Sequence, residues 1–175
     1  GSRYSLTMNE VSDFNGDGQK GNSLLYIPTE AEMDNMNFVD YTDQKTGKLI
    51  MSAADSRKAF TEWVNNDDYA KNHRGQYAER NSNLSNWEHE IDLHLAQTIY
   101  NAQGLGKLEF TFDIINFANM LNKKWGASYS SAYNLSPLTV VSLSTDENGN
   151  RNPGYAFNNA KINKSDISSR WHAQV

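Results

Sequence analysis

The clearest pattern of hydrophobic and polar positions lies in the middle of the chain. Over residues 87–100, apolar side chains fall at alternate positions, and charged or polar side chains fall mainly between them. A two-residue repeat is the spacing of a β-strand, whose successive side chains point to opposite faces. After a turn at residues 101–106, residues 108–114 repeat the alternation. The pattern therefore predicts an antiparallel β-hairpin over residues 87–118, with one apolar and one charged face.

The long polar segment before this hairpin, residues 9–86, carries two helix signals. Thr29 is followed three residues later by a glutamate. This is the spacing of a capping box, and it predicts a short helix near residues 30–36. Ser52 is a second N-cap, followed by apolar residues on one helical face. It predicts a longer helix near residues 53–74.

The segment after the hairpin, residues 119–167, is again rich in Asn and Ser. Two apolar stretches in it, residues 138–143 and 155–157, surround an Asn-Gly turn and predict a further hairpin. Residues 2–8 alternate like the end of a strand, and residues 168–175 like the start of the last one. The chain therefore alternates long loops with strands joined by a tight turn.

Long loops on one side and tight turns on the other are typical of outer-membrane β-barrels, whose strands turn apolar residues to lipid and polar residues to the lumen. In that arrangement the slip of the alternation at residues 115–117 marks a bulge or the membrane edge. A soluble antiparallel sheet with one wet face has the same pattern. The predicted fold class is all-β antiparallel, about four strands of an outer-membrane β-barrel with one or two helices in a long loop, and an α+β appearance when isolated.

The composition indicates many loops, and it excludes several classes of function. The 175 residues, the size of one domain with one core, include 22 Asn, 17 Ser, 12 Asp and 11 Gly, which favour turns. A net charge of −5 gives no electrostatic basis for binding nucleic acid. The longest apolar run covers only residues 24–27, which excludes a transmembrane helix. Because the chain has no Cys, it has no disulfide and no thiol nucleophile.

Six segments, taken in their order and spacing, resemble a known family. They are DFNGDG (13–18), LYIP (25–28), HRGQYAERN (73–81), DLHLAQ (92–97), FDIINFANMLNKKWG (112–126) and RWHAQV (170–175). In this arrangement they resemble the last strands and loops of TonB-dependent outer-membrane receptors, specifically the Oar-like branch with an N-terminal carboxypeptidase-regulatory-like domain. The most specific part is the run 113–126 together with residues 74–81.

This resemblance implies a TonB-gated transporter of the Gram-negative outer membrane, with a plug domain inside a barrel of about 22 strands. The implied partners are the receptor's own plug domain, TonB through an N-terminal part, and outer-membrane lipid. This sequence has no signal peptide, plug, box for TonB contact or aromatic-ended last strand. We therefore expect residues 1–175 to be one C-terminal fragment, which supplies barrel wall and extracellular loops for substrate uptake and cannot transport alone.

One motif matches the start of a calcium loop. Asp13, Asn15 and Asp17 place side-chain oxygens at positions 1, 3 and 5 of an EF-hand-like loop, with a glycine at position 6. Gln19 would supply a backbone carbonyl at position 7. Position 12 is Leu24 instead of a bidentate glutamate. Calcium is the one candidate cofactor, and an Asx-rich turn held by its own hydrogen bonds is the alternative explanation.

Two sets of polar residues are candidates for contact with a ligand or with the plug. The set ahead of the predicted strand is Arg74, Tyr77, Glu79 and Arg80. The set on the charged face of that strand is Glu88, Glu90, Asp92 and His94. Each set has a structural alternative, since the first can anchor the loop to the barrel rim and the second can form a solvated lumen wall.

No set of residues predicts catalysis. Ser, His and Asp are present, but no nucleophile elbow, phosphate loop or paired carboxylates connect them. His89 and His94 lie five residues apart in a predicted strand, so they do not form the zinc pair of a metalloprotease. The sequence therefore predicts no enzyme. The alternative to a receptor is a secreted all-β binding module, an adhesin or carbohydrate binder stabilised by calcium.

In water the apolar face of the predicted hairpin has no lipid to meet. Its residues are Ile91, Leu93, Leu95, Phe110, Phe112 and Ile114. We expect this face to be covered by the helix that contains Phe60, Trp63 and Val64, or to be buried in a dimer of the isolated fragment.

Overall fold

The structure, a computed structural model, describes residues 1–10, 13, 16–43, 45–100, 106–129, 133–145 and 147–175. Its strands are β1 (Arg3–Glu10), β2 (Tyr26–Ile27), β3 (Tyr41–Thr42), β4 (Leu49–Met51), β5 (Gln76–Tyr77), β6 (Asn83–Leu84), β7 (Leu93–Tyr100), β8 (Lys107–Ile115), β9 (Ser128–Tyr129), β10 (Asn134–Thr145), β11 (Arg151–Phe157), β12 (Lys164–Ser165) and β13 (His172–Gln174). Its helices are α1 (Glu30–Asn35), α2 (Ala53–Asn66) and α3 (Phe117–Leu121), with a 3-10 turn at Ala70–Asn72. The predominance of strands confirms the prediction of a mainly β chain. Residues 101–105 of the predicted tight turn lie outside the described residues.

The chain folds into two compact units, where the sequence predicted one core. The first, called the loop unit, consists of Ser2–Leu84 and Ala132–Lys161. The second, called the hairpin unit, consists of Gly1, Ser85–Ser131 and Ile162–Val175. Within the described ranges, no helix is both long enough and apolar enough to cross a membrane.

A four-stranded sheet in the order β11–β10–β1–β6 forms the centre of the loop unit. β1 pairs antiparallel with β6 but parallel with β10, where Leu6 lies beside Leu135 and Met8 beside Leu138. This parallel pair is an exception to the predicted antiparallel pattern. Parallel strands need a long connection, and most of the chain lies between β1 and β10.

β10 and β11 form the hairpin that the sequence predicts in the second polar segment. Its register runs from Leu138 opposite Phe157 to Thr145 opposite Arg151. Both strands extend beyond the predicted arms. They join the sheet of the loop unit through β1, so this hairpin is part of a larger core.

The apolar face of α2 packs inside the loop unit. Phe60 and Val64 are fully buried. The centroid of the Phe60 ring lies 6.1 Å from that of Phe38 and 6.5 Å from that of Phe157, and the ring stacks on Trp63. The apolar side chains of α2 therefore have their partners within the loop unit itself.

Both predicted helices are present, and side-chain hydrogen bonds explain where they begin and end. Thr29 and Glu32 form the predicted capping box at the start of α1. α2 begins where predicted but ends before the predicted residue 74. Asp67 follows it, and the Asp67 carboxylate accepts the Ala70 N–H at 2.8 Å. This side-chain bond begins a separate 3-10 turn and competes with continuation of the α-helix.

In the hairpin unit, β7, β8 and β13 form an antiparallel sheet. Leu93 of β7 pairs with Ile114 of β8, and His172 of β13 pairs with Ile115. β7 and β8 form a hairpin, whereas β13 pairs with β8 only after the intervening strands β9–β12. β13 corresponds to the last strand predicted at residues 168–175, but it is shorter.

β7 begins later than the sequence predicts. Its partner β8 ends just before Asn116, which adopts a left-handed φ of 55° and is followed directly by α3. Residues ahead of Leu93 therefore have no strand partner. The Ile91 carbonyl instead accepts the Phe117 N–H at 2.7 Å. The predicted slip of the alternation at residues 115–117 falls on this turn.

Candidate functional site

The β7–β8 hairpin has one apolar side, called here the apolar hairpin face. Its apolar residues are Leu93, Leu95 and Ile99 from β7 and Leu108, Phe110, Phe112 and Ile114 from β8, and Gln97 lies among them opposite Phe110. Leu95, Ile99, Leu108 and Phe110 are 53%, 51%, 57% and 52% exposed. Ile114 is buried, at the end where β13 pairs. A contiguous exposed apolar patch of this kind marks contact with a membrane or with another protein.

The opposite side of the same sheet is polar, and it is called the polar hairpin face. His94 of β7 hydrogen-bonds to the Asp113 carboxylate of β8, and Gln174 of β13 also hydrogen-bonds to it. The hydrogen bond from His94 is the main reason why the pKa of Asp113 lies below its usual value. Lys107 and Glu109 form a second pair at 2.9 Å. Polar contacts therefore connect the three strands on this face.

Of the four candidate contact residues in the second set, only His94 lies on the polar hairpin face. The other three precede β7, in irregular chain, so the prediction that all four share one strand face is wrong. Glu88 and Glu90 line a cavity of about 320 Å³. The Asp92 carboxylate accepts the Asn116 N–H at 2.8 Å. Asp92 therefore has a structural role at the end of the sheet.

Asn116 is buried where the sheet of the hairpin unit meets its loops. Its side-chain amide donates to the Gly126 carbonyl at 2.8 Å and to the Ser169 carbonyl at 3.1 Å. Gly126 has a φ of +58°, and a Cβ added there would lie 1.8 Å from the Asn116 Oδ1. Only glycine fits at this position. The junction holds three chain segments together, and its residues lie too far apart in sequence for a local pattern to predict it.

The aspartates of the predicted calcium loop are already hydrogen-bonded. The Asp13 carboxylate accepts the backbone N–H groups of the two following glycines at 2.6 Å and 2.8 Å. The Asp17 carboxylate accepts the Gln19 N–H at 2.8 Å and the Asn22 amide at 2.7 Å. These are bonds of an Asx-rich turn. Asn15 lies outside the described residues, and among those described no three His, Asp or Glu side chains are placed to hold a metal ion, so calcium stays a prediction.

Two of the first set of candidate contact residues anchor the backbone of the loop unit. The Arg74 guanidinium donates to the Pro28 carbonyl at 3.3 Å and also to the Asn65 side chain. The Glu79 N–H donates to the Tyr69 hydroxyl at 2.9 Å. These contacts of Arg74 and of the Glu79 backbone agree with the structural alternative, in which this set of residues anchors the loop.

The other two residues of that set, Tyr77 and Arg80, line a cavity of about 490 Å³. Met8, Asp17 and Asn22 form part of its wall. The side chain of Tyr77 is largely exposed, so its ring is open to a ligand. The Arg80 guanidinium has no hydrogen-bond or ion-pair partner in the part of the chain that the structure describes. The cavity thus combines an aromatic ring, a cation and an amide.

A second cavity of about 220 Å³ shares Met8 and Tyr77 with the first, and the two together are called the tyrosine cleft. Its wall adds Tyr26, Glu32 and Tyr155. The Tyr26 and Tyr77 rings meet edge to face, with centroids 5.1 Å apart. The Tyr26 hydroxyl donates to the Glu32 carboxylate at 2.9 Å, and this bond raises the pKa of Tyr26. Tyr26 and Tyr155 are distant in sequence, and no local pattern predicts that they line one cavity.

Comparison of the chain with protein-family models, with curated proteins and with solved structures gives no match in any of the three.

Proposed function

We propose that this chain is a segment of a TonB-dependent outer-membrane receptor of the Oar-like branch. In this proposal the hairpin unit belongs to the barrel wall, and the loop unit forms extracellular loops that take part in substrate uptake. Its location is the outer membrane of a Gram-negative bacterium. The observation that carries the proposal is the exposed apolar hairpin face with a polar face on the other side of the same strands.

The free energy of hydration favours lipid as the partner of this face. Fully burying one large apolar side chain is worth about 1.5–3 kcal/mol. Leu95, Ile99, Leu108 and Phe110 share one side of a single hairpin and are all more than half exposed. Contact with hydrocarbon would recover this free energy at all four positions. The polar hairpin face, with His94 and Asp113, would then face an aqueous lumen.

The geometry of the sheet supports the same proposal. β8 has nine residues, within the range of about 9–11 residues for a tilted transmembrane strand. β7 and β8 are consecutive strands, β13 joins them after the second long polar segment, and all three pair antiparallel, as neighbouring strands of an outer-membrane barrel joined by a tight turn and a long loop do. Among the described strands, β7 and β13 each pair only with β8, which leaves one edge of each for a neighbouring strand. The receptor's plug domain, TonB and outer-membrane lipid are the partners in this proposal, and calcium is a candidate ligand of the loop unit.

A second candidate function is a secreted binding module. The tyrosine cleft favours it, because Tyr77 offers an exposed ring beside the unpaired Arg80. Concave sites with aromatic walls and a few polar groups are the usual form of ligand pockets. In this case a dimer, rather than lipid, would bury the apolar hairpin face.

Labels on the two faces of β8 test the proposal. The chain has no Cys, so the substitutions Phe110→Cys and Thr111→Cys each give a single attachment point for an environment-sensitive fluorophore. The two positions are neighbours in one strand, and their side chains point to opposite faces. The labelled chains are mixed with phosphatidylcholine vesicles, with and without a lipid-attached quencher. We expect a blue shift and quenching for the label at position 110 and neither for the label at position 111.

The other results have distinct meanings. If both labels remain accessible to a water-soluble quencher and insensitive to the lipid quencher, the membrane proposal is wrong. If the label at position 110 is shielded only at high protein concentration and without vesicles, a dimer buries the face and the secreted module is favoured.

A further inference from the structure

A basic cavity in the hairpin unit has no role in the function proposed above. It has a volume of about 570 Å³, in the range of small-ligand pockets. Its wall contains Lys123, Lys164 and Arg170, one carboxylate, Asp166, and the indole of Trp171. This set is called the basic pocket. It has three cations and one anion, although the chain as a whole has a net charge of −5.

The cationic groups of the basic pocket are available to a ligand. The Lys123 ammonium and the Arg170 guanidinium have no hydrogen-bond or ion-pair partner within the described residues. The Lys164 ammonium donates to the Lys123 carbonyl at 2.9 Å, which leaves two of its three N–H donors. Asp166 likewise makes no ion pair with these groups in the described chain. An anionic ligand would therefore not have to displace an existing salt bridge.

The backbone around the basic pocket is held in place by hydrogen bonds. The Asn119 amide, part of the pocket wall, donates to the Trp125 carbonyl at 2.9 Å. The Ser169 hydroxyl accepts the Ser128 N–H at 2.9 Å. The Ser169 carbonyl in turn accepts the buried Asn116 amide. Because the backbone of the wall is already ordered, binding has to order only the side chains of the cations.

The position of the basic pocket relates it to the apolar hairpin face. Trp171 lies in its wall and directly precedes β13. Two residues later, Ala173 pairs with Ile114, which belongs to the apolar hairpin face. The pocket thus borders the end of the sheet where β8 stops and β13 starts. If the apolar face lies in hydrocarbon, as proposed above, this end lies at the depth of the lipid headgroups, where aromatic residues concentrate.

We propose that the basic pocket binds the phosphate-bearing headgroup of an anionic lipid. Arginine and lysine are the side chains that pair with phosphate, arginine in a bidentate geometry and lysine as a point charge. The Trp171 ring supplies an apolar surface beside the acyl chains, and Asp166 favours a headgroup that also has hydroxyl or amine donors. This inference rests on the membrane contact of the hairpin unit.

Flotation of the 175-residue chain with two kinds of vesicle tests the inference. One kind is phosphatidylcholine alone, and the other is phosphatidylcholine with one fifth lipid A, which carries phosphate on a sugar headgroup. The variants are Lys123→Gln, Arg170→Gln and their double combination. Lys124→Gln is the matched control, because it removes the same charge from the neighbouring residue, which is not in the pocket wall. We expect about a fivefold weaker binding to the lipid A vesicles for each pocket charge removed, and unchanged binding to neutral vesicles.

The arms of this experiment separate the possible failures. If the unsubstituted chain binds neutral vesicles but shows no preference for lipid A, this inference fails and the membrane proposal stands. If it binds neither kind of vesicle, the membrane proposal itself fails. If Lys124→Gln weakens binding as much as Lys123→Gln, general surface charge explains the preference and the pocket is not the site.

Free inorganic phosphate is the other candidate ligand, because it would make the same contacts with the cations of the basic pocket. Inorganic phosphate at 10 mM, compared with chloride at equal ionic strength, should leave about the same fraction of the chain on lipid A vesicles, since the headgroup is held at high local concentration. Complete displacement by phosphate would show that the pocket takes the free anion, against the lipid assignment. Far-UV circular dichroism of all variants checks that the exposed substitutions leave the fold intact.

Discussion

The two units of this chain differ in how far they bury their large apolar side chains. In the loop unit, Leu6, Phe60 and Val64 have no exposed surface, and the sheet and α2 enclose them. In the hairpin unit, Leu108 and Phe110 stand in a regular strand with more than half of their surface exposed. Both units have alternating strands, so the pattern of hydrophobic residues alone does not tell which apolar face is a core and which is an outer surface. An apolar face is a core when other residues of its unit pack on it, and an outer surface when they do not.

The largest expected effect tests this difference directly, with one phenylalanine from each unit. Phe60→Ala removes a fully buried ring that contacts Phe38 and Phe157, so we expect a loss of about 3–5 kcal/mol in the free energy of unfolding. Phe110→Ala removes an exposed ring and should change the unfolding free energy in water by less than about 0.5 kcal/mol. Urea denaturation of both variants measures the two values. Equal losses would show that the apolar hairpin face is packed in solution.

The next effect sharpens the description of the hairpin unit, which is held together by polar contacts rather than by a large core. Gly126→Ala puts a Cβ against the Asn116 amide at a φ of +58°, and we expect it to destabilise this unit by about 2–4 kcal/mol. Gly149→Ala is the matched control. Gly149 has a φ of +82° but no atom within 4 Å of the added Cβ, so only the backbone strain of about 1 kcal/mol remains. Hydrogen exchange measures the loss for Gly126→Ala at the β7 and β8 amides and the loss for Gly149→Ala at the β10 and β11 amides, and losses of equal size would contradict the Asn116 junction.

A third, smaller effect concerns how the loop unit holds its short helix. The Arg57 guanidinium donates to the carbonyls of Met33, Asp34 and Met36 at the end of α1 and lies 5.2 Å from the centre of the Phe38 ring. Arg57→Ala leaves these carbonyls without their donor, so we expect a loss of about 2 kcal/mol. Lys58→Ala, an exposed neighbour on the same helix, should change little. Thermal unfolding compares the two, and a variant Arg57→Lys with full stability would show that charge alone suffices.

The smallest effect is a pH dependence on the polar hairpin face. The hydrogen bond from His94 lowers the pKa of Asp113 in the folded chain. The stability that this carboxylate contributes is therefore complete above the ordinary Asp pKa of about 3.9 and is lost as the pH falls through the lower folded value. Protection of the β8 amides should decrease on acidification below pH 4 in the unsubstituted chain. Asp113→Asn should remove that part of the decrease, and an identical acid profile in both chains would contradict the role of the pair.

Local patterns in the sequence were sufficient for several elements of the fold. Thr29 and Ser52 mark the helix starts correctly, because caps depend on residues three positions apart. The alternation predicts the hairpin of β7 and β8, although not the register in which the two strands pair. Elements that depend on distant contacts were missed or misplaced. The start of β7 was placed too early, because only the left-handed turn at Asn116 shows where its partner strand stops.

The candidate site residues divide in the same way. The sequence singled out Tyr77 and Arg80, which do line one cavity, but it gave the same weight to Arg74, whose guanidinium is used to anchor the backbone. The basic pocket was not predicted at all. Its cations come from residues 123, 164 and 170, and only the folding of two distant segments onto the end of one sheet brings them together. The distribution of charged residues along the sequence therefore does not predict the basic pocket.

The parallel pairing of β1 with β10 has a mechanical consequence for the loop unit. β1 leads into the first long polar segment, and β10 lies in the second. Backbone hydrogen bonds join them, including the one from the Ser5 N–H to the Tyr133 carbonyl at 2.9 Å. A force that displaces one segment is transmitted to the other through these hydrogen bonds, so we expect the two segments to move together rather than independently.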